Sequence, residues 1–130
     1  MLDHIGIPIS DMKKSRAFYD RALAPLGMRR MMDMGDGEDS LLSSGYVASG
    51  YGDGERFSFW IDVKPVYKLH FAFAAESRAI VDAFHRAAIA AGGKDNGAPG
   101  LRPHYHKDYY GAFVLDPDGH NVEAVCRKPE

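Results

Sequence analysis

The sequence feature that most constrains the fold is a segment that occurs twice, 66 positions apart. The first copy begins with His4-Ile-Gly-Ile-Pro-Ile and the second with His70-Phe-Ala-Phe-Ala-Ala. In each copy a strand-like run precedes apolar residues at helical spacing, and a glycine (Gly27 or Gly93) follows them. Because a repeat of this length indicates two similar structural units, we expect two modules.

Both halves predict a strand, then a helix, then two or three further strands. This pattern predicts an α+β protein with mixed or antiparallel sheets and helices on one side. A single domain is expected, with module 1 at about 1–66 and module 2 at about 67–130. The segments with strand-like composition are 2–9, 28–34, 44–50, 57–63, 68–74, 109–115 and 121–126.

Capping and turn residues predict where these elements end. Ser10 is expected to cap the first helix, and Glu76-Ser77 to open the second. Residues 96–108 are rich in glycine, proline and polar residues, which predicts a long loop of the kind that carries function. Further predictions are turns at 35–40, 50–54 and 116–120, surface positions for His85 and His120, and a frayed tail from Arg127.

Composition excludes several classes of protein. The 130 residues carry a net charge of −2 and no basic tract, which argues against nucleic-acid and anionic-membrane partners. No apolar run is long enough to span a bilayer, and no signal segment is evident at the N-terminus. The single Cys126 cannot form a disulfide within the chain, so a reducing, cytoplasmic location is expected.

Three residues have the chemistry of a metal site. His4 and His70 occupy equivalent positions in the two copies, and Glu123 is the acid of the last strand. If a pseudo-twofold axis relates the modules, both imidazoles can point into one cavity. Two imidazoles and one carboxylate suit a divalent ion with open coordination positions, such as Fe, Mn, Zn, Ni or Co.

The repeat, the paired histidine strands and the run Asp116-Pro-Asp-Gly-His-Asn-Val-Glu123 resemble the vicinal oxygen chelate superfamily. This group includes glyoxalases, bleomycin-resistance proteins and extradiol dioxygenases, and the resemblance covers nearly the whole chain. It implies two βαββ(β) modules related by pseudo-twofold symmetry, with a curved mixed sheet around a central cleft. It also implies a homodimer that can exchange modules, and a metal that binds two neighbouring substrate oxygens as a Lewis acid.

One position departs from the four-ligand pattern of glyoxalase I-like members. The repeat spacing predicts that Phe57 mirrors Glu123, and Asp62 lies too far along the strand to take that place. The sequence therefore favours a metal site with three protein ligands.

Several other side chains are candidates for contact with a substrate. Arg102 is either an anion clamp or a solvated loop residue. His104 and His106 are candidates for acid–base work or for a missing metal ligand, and Tyr105 for stacking on or hydrogen-bonding a small ligand. His106 and Tyr105 are the predicted catalytic residues. The predicted substrate-binding residues are Arg102, Tyr109, Tyr110, Trp60 and Phe57, although alternation lets only one of the two tyrosines face the cleft.

These features lead to one main function and two alternatives. The main hypothesis is a metal-dependent lyase, isomerase or dioxygenase that acts on a small oxygenated metabolite or xenobiotic. The first alternative is a metal-free, bleomycin-resistance-like protein that sequesters a small molecule. The second is a scaffold of the same fold whose site has been lost.

Overall fold

A computed structural model describes residues 2–35 and 47–130. The predicted turn at 35–40 and the beginning of the predicted strand at 44–50 therefore lie largely outside the described residues. The elements are β1 (Ile5–Ile9), α1 (Met12–Ala22), a 3₁₀ turn (Ala24–Leu26), β2 (Arg29–Met34), β3 (Ala48–Gly52), β4 (Phe57–Val63), β5 (His70–Ala74), α2 (Arg78–Ala90), β6 (Lys94–Leu101), β7 (Tyr110–Leu115) and β8 (Asn121–Cys126).

The strands form two four-stranded mixed sheets with the same topology. The strand order is β1-β4-β3-β2 in the first sheet and β5-β8-β7-β6 in the second. β1 runs parallel to β4, β5 runs parallel to β8, and the other neighbours are antiparallel. The prediction of an α+β fold with two similar modules is confirmed.

The register of the parallel pairs corrects the sequence-based match to Glu123. Glu123 lies opposite Ala72, and the equivalent residue of Ala72 in the first module is Gly6. Gly6 lies opposite Trp60, so Trp60 and not Phe57 corresponds to Glu123. The constant spacing fails here because the modules differ in length between their first and last strands.

One hydrophobic core joins the two modules. Both helices contribute buried apolar residues, including Phe18 of α1 and Phe84 of α2. The Phe59 ring of β4 lies 5.5 Å from the ring of Phe71 and 5.3 Å from that of Phe73, both in β5. Phe59 is fully buried and contributes about 1.5–3 kcal/mol, while Phe71 and Phe73 are partly buried against the core. This aromatic contact joins the two sheets.

The helix caps agree with the sequence in one case and differ in the other. Ser77 caps α2 as predicted, since its side chain accepts a hydrogen bond from the Ile80 amide at 3.2 Å. The cap of α1 is Asp11 and not Ser10, because Asp11 Oδ1 accepts the hydrogen bond from the Lys14 amide. The amide and hydroxyl of Ser10 instead donate to Asp118, 108 positions away.

The predicted loop at 96–108 is wrong over its first half, which forms β6. This strand pairs with β7 through register shifts at Gly97 and Gly100, so bulges accommodate its turn-forming residues. Gly97 also permits close packing, since a Cβ there would lie 2.8 Å from the Phe113 ring. The predicted turn at 50–54 is wrong over Gly50–Gly52, because these residues lie in β3. Close packing explains the glycines, since a Cβ would lie 2.8 Å from the Trp60 ring at Gly50 and would overlap the Arg56 carbonyl oxygen at Gly52.

His120 is buried, which contradicts its predicted surface position. Its Nδ1 accepts a hydrogen bond from the Leu69 amide at 3.0 Å, and its Nε2 donates to the Pro8 carbonyl oxygen at 2.6 Å. Both ring nitrogens are therefore used, in the neutral tautomer with hydrogen on Nε2. The imidazole connects the end of β1 with the beginning of β5 and so links the two modules.

Candidate metal-binding site

His70 and Glu123 lie together on the neighbouring strands β5 and β8. His70 Nε2 is 3.4 Å from Glu123 Oε1. The Glu123 side chain is only 2% exposed, whereas the His70 side chain is 53% exposed. The pair therefore combines a buried carboxylate with an imidazole that solvent and a ligand can reach.

A backbone carbonyl group determines which ring nitrogen of His70 carries the hydrogen. His70 Nδ1 lies 3.1 Å from the carbonyl oxygen of Asn121. Because a carbonyl oxygen only accepts, Nδ1 must carry the hydrogen. In the neutral imidazole Nε2 then holds a lone pair that points towards a carboxylate oxygen. A hydrogen bond from the second ring nitrogen to a carbonyl is the usual support for a metal-binding histidine.

Tyr109 holds the other oxygen of the same carboxylate. Its hydroxyl donates a hydrogen bond to Glu123 Oε2. Burial, and then this hydrogen bond, raise the pKa of Tyr109 to about 12. Gly111 makes the approach possible, because a Cβ at that position would lie 3.2 Å from both Glu123 Oε2 and the Tyr109 ring. Oε1 is thus the carboxylate oxygen directed towards His70.

These residues line a cavity of about 330 Å³, a volume suited to a small ligand. Phe113 stacks on the His70 ring at 6.2 Å between centroids. The Arg127 guanidinium lies 5.0 Å from the centre of the Tyr109 ring. The full lining is His70, Tyr105, Tyr109, Phe113, Glu123 and Arg127.

His4, the third predicted metal ligand, lines a different cavity. This cavity of about 360 Å³ lies on the first module, and its other lining residues are Gly6, Met34, Trp60 and Asp62. The His4 side chain is 59% exposed, and its Nδ1 lies 2.8 Å from Asp3 Oδ1. Within one chain the structure brings His70 and Glu123 together and leaves His4 in the corresponding position of the other module.

Asp62 lines the same cavity as His4, although it was not among the residues predicted to form a site. Its Oδ2 lies 3.2 Å from the point that a Cβ on Gly6 would occupy, so it sits directly beside β1. The side chain is 8% exposed and pairs with Lys64 at 3.0 Å. The signal in the sequence was its alternation with Trp60, which puts both side chains on one face of β4.

Arg102, the predicted anion clamp, makes structural contacts. Its two terminal nitrogens each donate at 2.8 Å, to the carbonyl oxygens of Gly100 and Ala98. Its guanidinium also lies 5.5 Å from the centre of the Phe113 ring. The side chain thereby supports the bulged end of β6, where irregular pairing leaves carbonyl groups available.

The remaining candidates fall at the rim of the cavity or outside it. His104 packs on Tyr105 at 4.1 Å between ring centroids, and His106 Nδ1 accepts a hydrogen bond from the Asp108 amide at 3.1 Å. Tyr110 points away from the cavity, as alternation requires, and donates to Asp82 of α2 at 2.7 Å. Phe57 lies 5.0 Å from Trp60 between ring centroids, on the His4 side.

A second group of possible ligands lies in the turn before β8. Potential ligand atoms of Asp116, Asp118 and His120 lie within 4.8 Å of one another. Asp116 accepts hydrogen bonds from the Tyr19 hydroxyl and from two backbone amides, and burial raises its pKa. Ser10 donates hydrogen bonds to Asp118, and both ring nitrogens of His120 form hydrogen bonds with the backbone. This group therefore serves as a structural link between the modules.

Phe113 and Arg127 are the two residues of this cavity that were not predicted from the sequence. Arg127 was missed because the tail was expected to be frayed. It follows β8 directly and continues the alternation of Glu123 and Val125, so it belongs to the same face. The tail is also anchored further along, since Glu130 accepts a hydrogen bond from the Arg78 amide at 2.8 Å. Extending the alternation by one step would have identified Arg127.

Comparison with known proteins agrees with this architecture. The model of the Glyoxalase/Bleomycin resistance protein/Dioxygenase superfamily matches residues 1–124. The chain belongs to this superfamily. No curated protein matches it significantly. Within the described residues, none of the helices has the length and apolar character needed to cross a membrane.

Solved structures show the same fold. A glyoxalase/bleomycin resistance protein from Albidiferax ferrireducens is 28% identical, with a TM-score of 0.75, and the match covers 98% of this chain and 99% of that one. A glyoxylase/bleomycin resistance protein/dioxygenase domain from a Frankia species is 14% identical, with a TM-score of 0.71 and 98% coverage of both chains. Glyoxalase I from Zea mays is 20% identical, with a TM-score of 0.70, and the match covers 99% of this chain and 45% of that one.

Proposed function

We propose that this protein is a divalent-metal-dependent enzyme that acts on a small oxygenated metabolite or xenobiotic. Its ligands would be His70 Nε2, Glu123 Oε1 and His4, and the reaction would be of the lyase, isomerase or dioxygenase type. The observation that carries the proposal is the 3.4 Å separation between His70 Nε2 and a buried oxygen of Glu123, with the other ring nitrogen held by the Asn121 carbonyl. A cation between two such atoms would stabilise both.

The surroundings of Glu123 support a cation at this point. A buried carboxylate is costly unless a charge partner or hydrogen bonds compensate it. Among the described residues, no lysine or arginine forms an ion pair with Glu123, and Tyr109 satisfies only Oε2. The chemistry of the pair, one imidazole and one carboxylate, suits Fe, Mn, Zn, Ni or Co.

The position of His4 supports a homodimer in which each site combines two chains. His4 is exposed in the cavity of module 1, while His70 and Glu123 lie in the cavity of module 2. An isologous dimer that brings module 1 of one chain against module 2 of the other would complete two equal sites. Residues 1–130 would then act as a single two-module domain that shares each of its sites with a partner copy.

The chain's own residues would orient the substrate and handle protons. When bound, a divalent ion supplies Lewis-acid stabilisation of negative charge on substrate oxygens. Tyr109 holds Glu123 in place, and Phe113 fixes the ring of His70. Tyr105, which lines the cavity, and His106, the next residue in the chain, are the proposed proton donors and acceptors. Trp60 and Phe57 would form an apolar wall on the module-1 side of a shared cleft.

A metal-free small-molecule binding protein is the second candidate. The observation that favours it is Trp60, which stands where the other module has Glu123. An aromatic residue at this position removes a potential fourth ligand and adds a stacking surface. In this alternative the cleft would sequester a small molecule without turnover.

Metal titration separates the two candidates. The wild-type protein should bind stoichiometric metal after purification without chelator, and Mn, Zn, Ni, Co or Fe should raise its Tm. His70→Ala and Glu123→Gln should abolish that rise. His85→Ala is the matched control, because His85 pairs with Asp95 outside the cavity and its loss should leave the metal response unchanged. A wild-type protein without stoichiometric metal or metal-dependent stabilisation would exclude the metalloenzyme.

A further inference from the structure

Arg127 lies at the rim of the cavity that contains His70 and Glu123. Its guanidinium is 5.0 Å from the centre of the Tyr109 ring, within the range of a cation–π contact. The hydroxyl of the same tyrosine donates to Glu123. The guanidinium and the carboxylate are therefore separated by one tyrosine side chain, with the positive charge at the rim and the negative charge at the floor.

No acidic side chain of residues 2–35 and 47–130 forms an ion pair with Arg127. Its neighbour Lys128 pairs with Glu76, and Arg78 pairs with Glu130, so acids near this end of β8 are directed to other cations. Glu123 has no ion pair with Arg127, and its oxygens face Tyr109 and His70. The five N–H donors of this guanidinium are consequently available to a ligand in the cavity.

Arg102 differs from Arg127 in its contacts. Both terminal nitrogens of Arg102 are engaged by backbone carbonyl groups of β6, and the residue does not line the cavity. Among the residues that the structure describes, the polar or ring contact of the Arg127 guanidinium is with the Tyr109 ring, which orients its side chain without occupying its donors. Such an arginine is suited to bind carboxylate or phosphate through two parallel hydrogen bonds.

We propose that the substrate carries an oxyanion, a carboxylate or a phosphate, that Arg127 binds at the rim of the cavity. This inference rests on the proposed function, in which the other end of the substrate reaches His70 and Glu123. Tyr105 and Phe113 contribute aromatic rings to the lining of the same cavity. The expected substrate class is a small anionic molecule with a planar or aromatic body.

Paired probes that differ only in the anion test the proposal. Catechol, protocatechuate and the phosphonate analogue of protocatechuate share two vicinal oxygens, and their dissociation constants would be measured with the Mn²⁺-loaded protein. At least one anionic probe should bind at least about tenfold more tightly than catechol, as expected of hydrogen bonds to a charged group. The stronger of the two would identify carboxylate or phosphate as the preferred anion.

Variants of Arg127 locate the source of this preference. Arg127→Gln should bind all three probes with about the affinity that the wild type has for catechol. Arg127→Lys should retain only part of the higher affinity for the anionic probes, because it keeps the charge but loses the two-point contact. Lys128→Gln is the matched control and should retain the full gain, since Lys128 pairs with Glu76. Equal binding of all probes to the wild type, or a gain that survives in Arg127→Gln, would overturn the proposal.

A second measurement separates this proposal from the proposed function. Mn²⁺ affinity should not fall in Arg127→Gln, because Arg127 is not a ligand and the substitution removes a positive charge near the site. If the wild type binds no metal, the proposed function fails, and benzoate and phenylphosphonate would be compared with benzyl alcohol in the metal-free protein. A preference for the anions that disappears in Arg127→Gln would support the anion site alone, and its absence would refute it.

Discussion

The hydrogen bond from Tyr109 to Glu123 makes a quantitative prediction about stability. Tyr109→Phe removes a charge-assisted hydrogen bond to a carboxylate that is 2% exposed, and it leaves the ring in place. Because Oε2 then lacks its partner in a buried position, the free energy of unfolding should fall by about 1.5–3 kcal/mol at pH 7. For a chain of this length the corresponding decrease in Tm is roughly 5–15 °C.

The matched control is Tyr110→Phe, which also removes one tyrosine–carboxylate hydrogen bond. Its partner Asp82 lies on α2 and is only partly buried, so water can replace the lost hydroxyl. The expected loss is about 0.5–1.5 kcal/mol. In a Glu123→Gln background the Tyr109→Phe substitution should cost less than in the wild type, because the charged acceptor is gone.

The same hydrogen bond predicts a dependence on alkaline pH. Burial, and then Glu123, raise the pKa of Tyr109 to about 12 in the folded protein, whereas the unfolded value is about 10. A folded-state pKa above the unfolded value stabilises the protein fully below pH of about 10, and this contribution is lost as the pH rises towards 12. The stability difference between the wild type and Tyr109→Phe should therefore shrink above pH of about 10.

Urea denaturation followed by circular dichroism, with chelator present, measures these differences between pH 7 and pH 11. The chelator keeps metal binding from changing the apparent stability. A cost for Tyr109→Phe that does not exceed that of Tyr110→Phe would refute the reasoning. An equal cost in the Glu123→Gln background would refute it too, since the cost would then come from packing.

Three further predictions concern the links between modules. His120→Ala should cost about 3–5 kcal/mol in urea denaturation, because it leaves the Leu69 amide and the Pro8 carbonyl unpaired; a cost as small as that of His85→Ala would contradict the link. Gly93→Ala should cost about 1–3 kcal/mol, since the new Cβ would lie 2.5 Å from Val114 and 2.6 Å from Phe18, and an unchanged Tm would contradict the packing. If sites form between chains, mixing unfolded His4→Ala and His70→Ala and refolding them together should restore metal binding in about a quarter of the sites; no restoration in the titration would contradict the shared site.

Much of the fold could be predicted because its signals are local. The repeat and the alternation of apolar residues led to the two modules and to most strands, and Ser77 marked the beginning of α2. The errors occurred where a contact distant in sequence decides the local structure. Ser10 was expected to cap α1, but Asp118 binds it from the other module. The glycine-rich segment at 96–108 was expected to be a loop, but pairing with β7 turns its first half into a bulged strand.

The candidate site was predictable in part for the same reason. Alternation along β5 and β8 indicated that His70 and Glu123 can share a face, and the structure has them 3.4 Å apart. The roles of the two arginines could not be assigned from the sequence. Arg102 is used by the carbonyl groups of β6, and Arg127 reaches the cavity because the strand continues in the direction of Glu123.

The sequence by itself determined that there are two equivalent modules and that each carries a histidine where its first strand begins, His4 directly before β1 and His70 as the first residue of β5. Repetition and period-two alternation are properties of the chain alone. Only the tertiary structure decided that Trp60 corresponds to Glu123, and that His4 and His70 line different cavities of one chain. These features follow from the strand register and from the packing of Phe59 against β5. Both depend on contacts between residues far apart in the sequence, which the sequence pattern does not show.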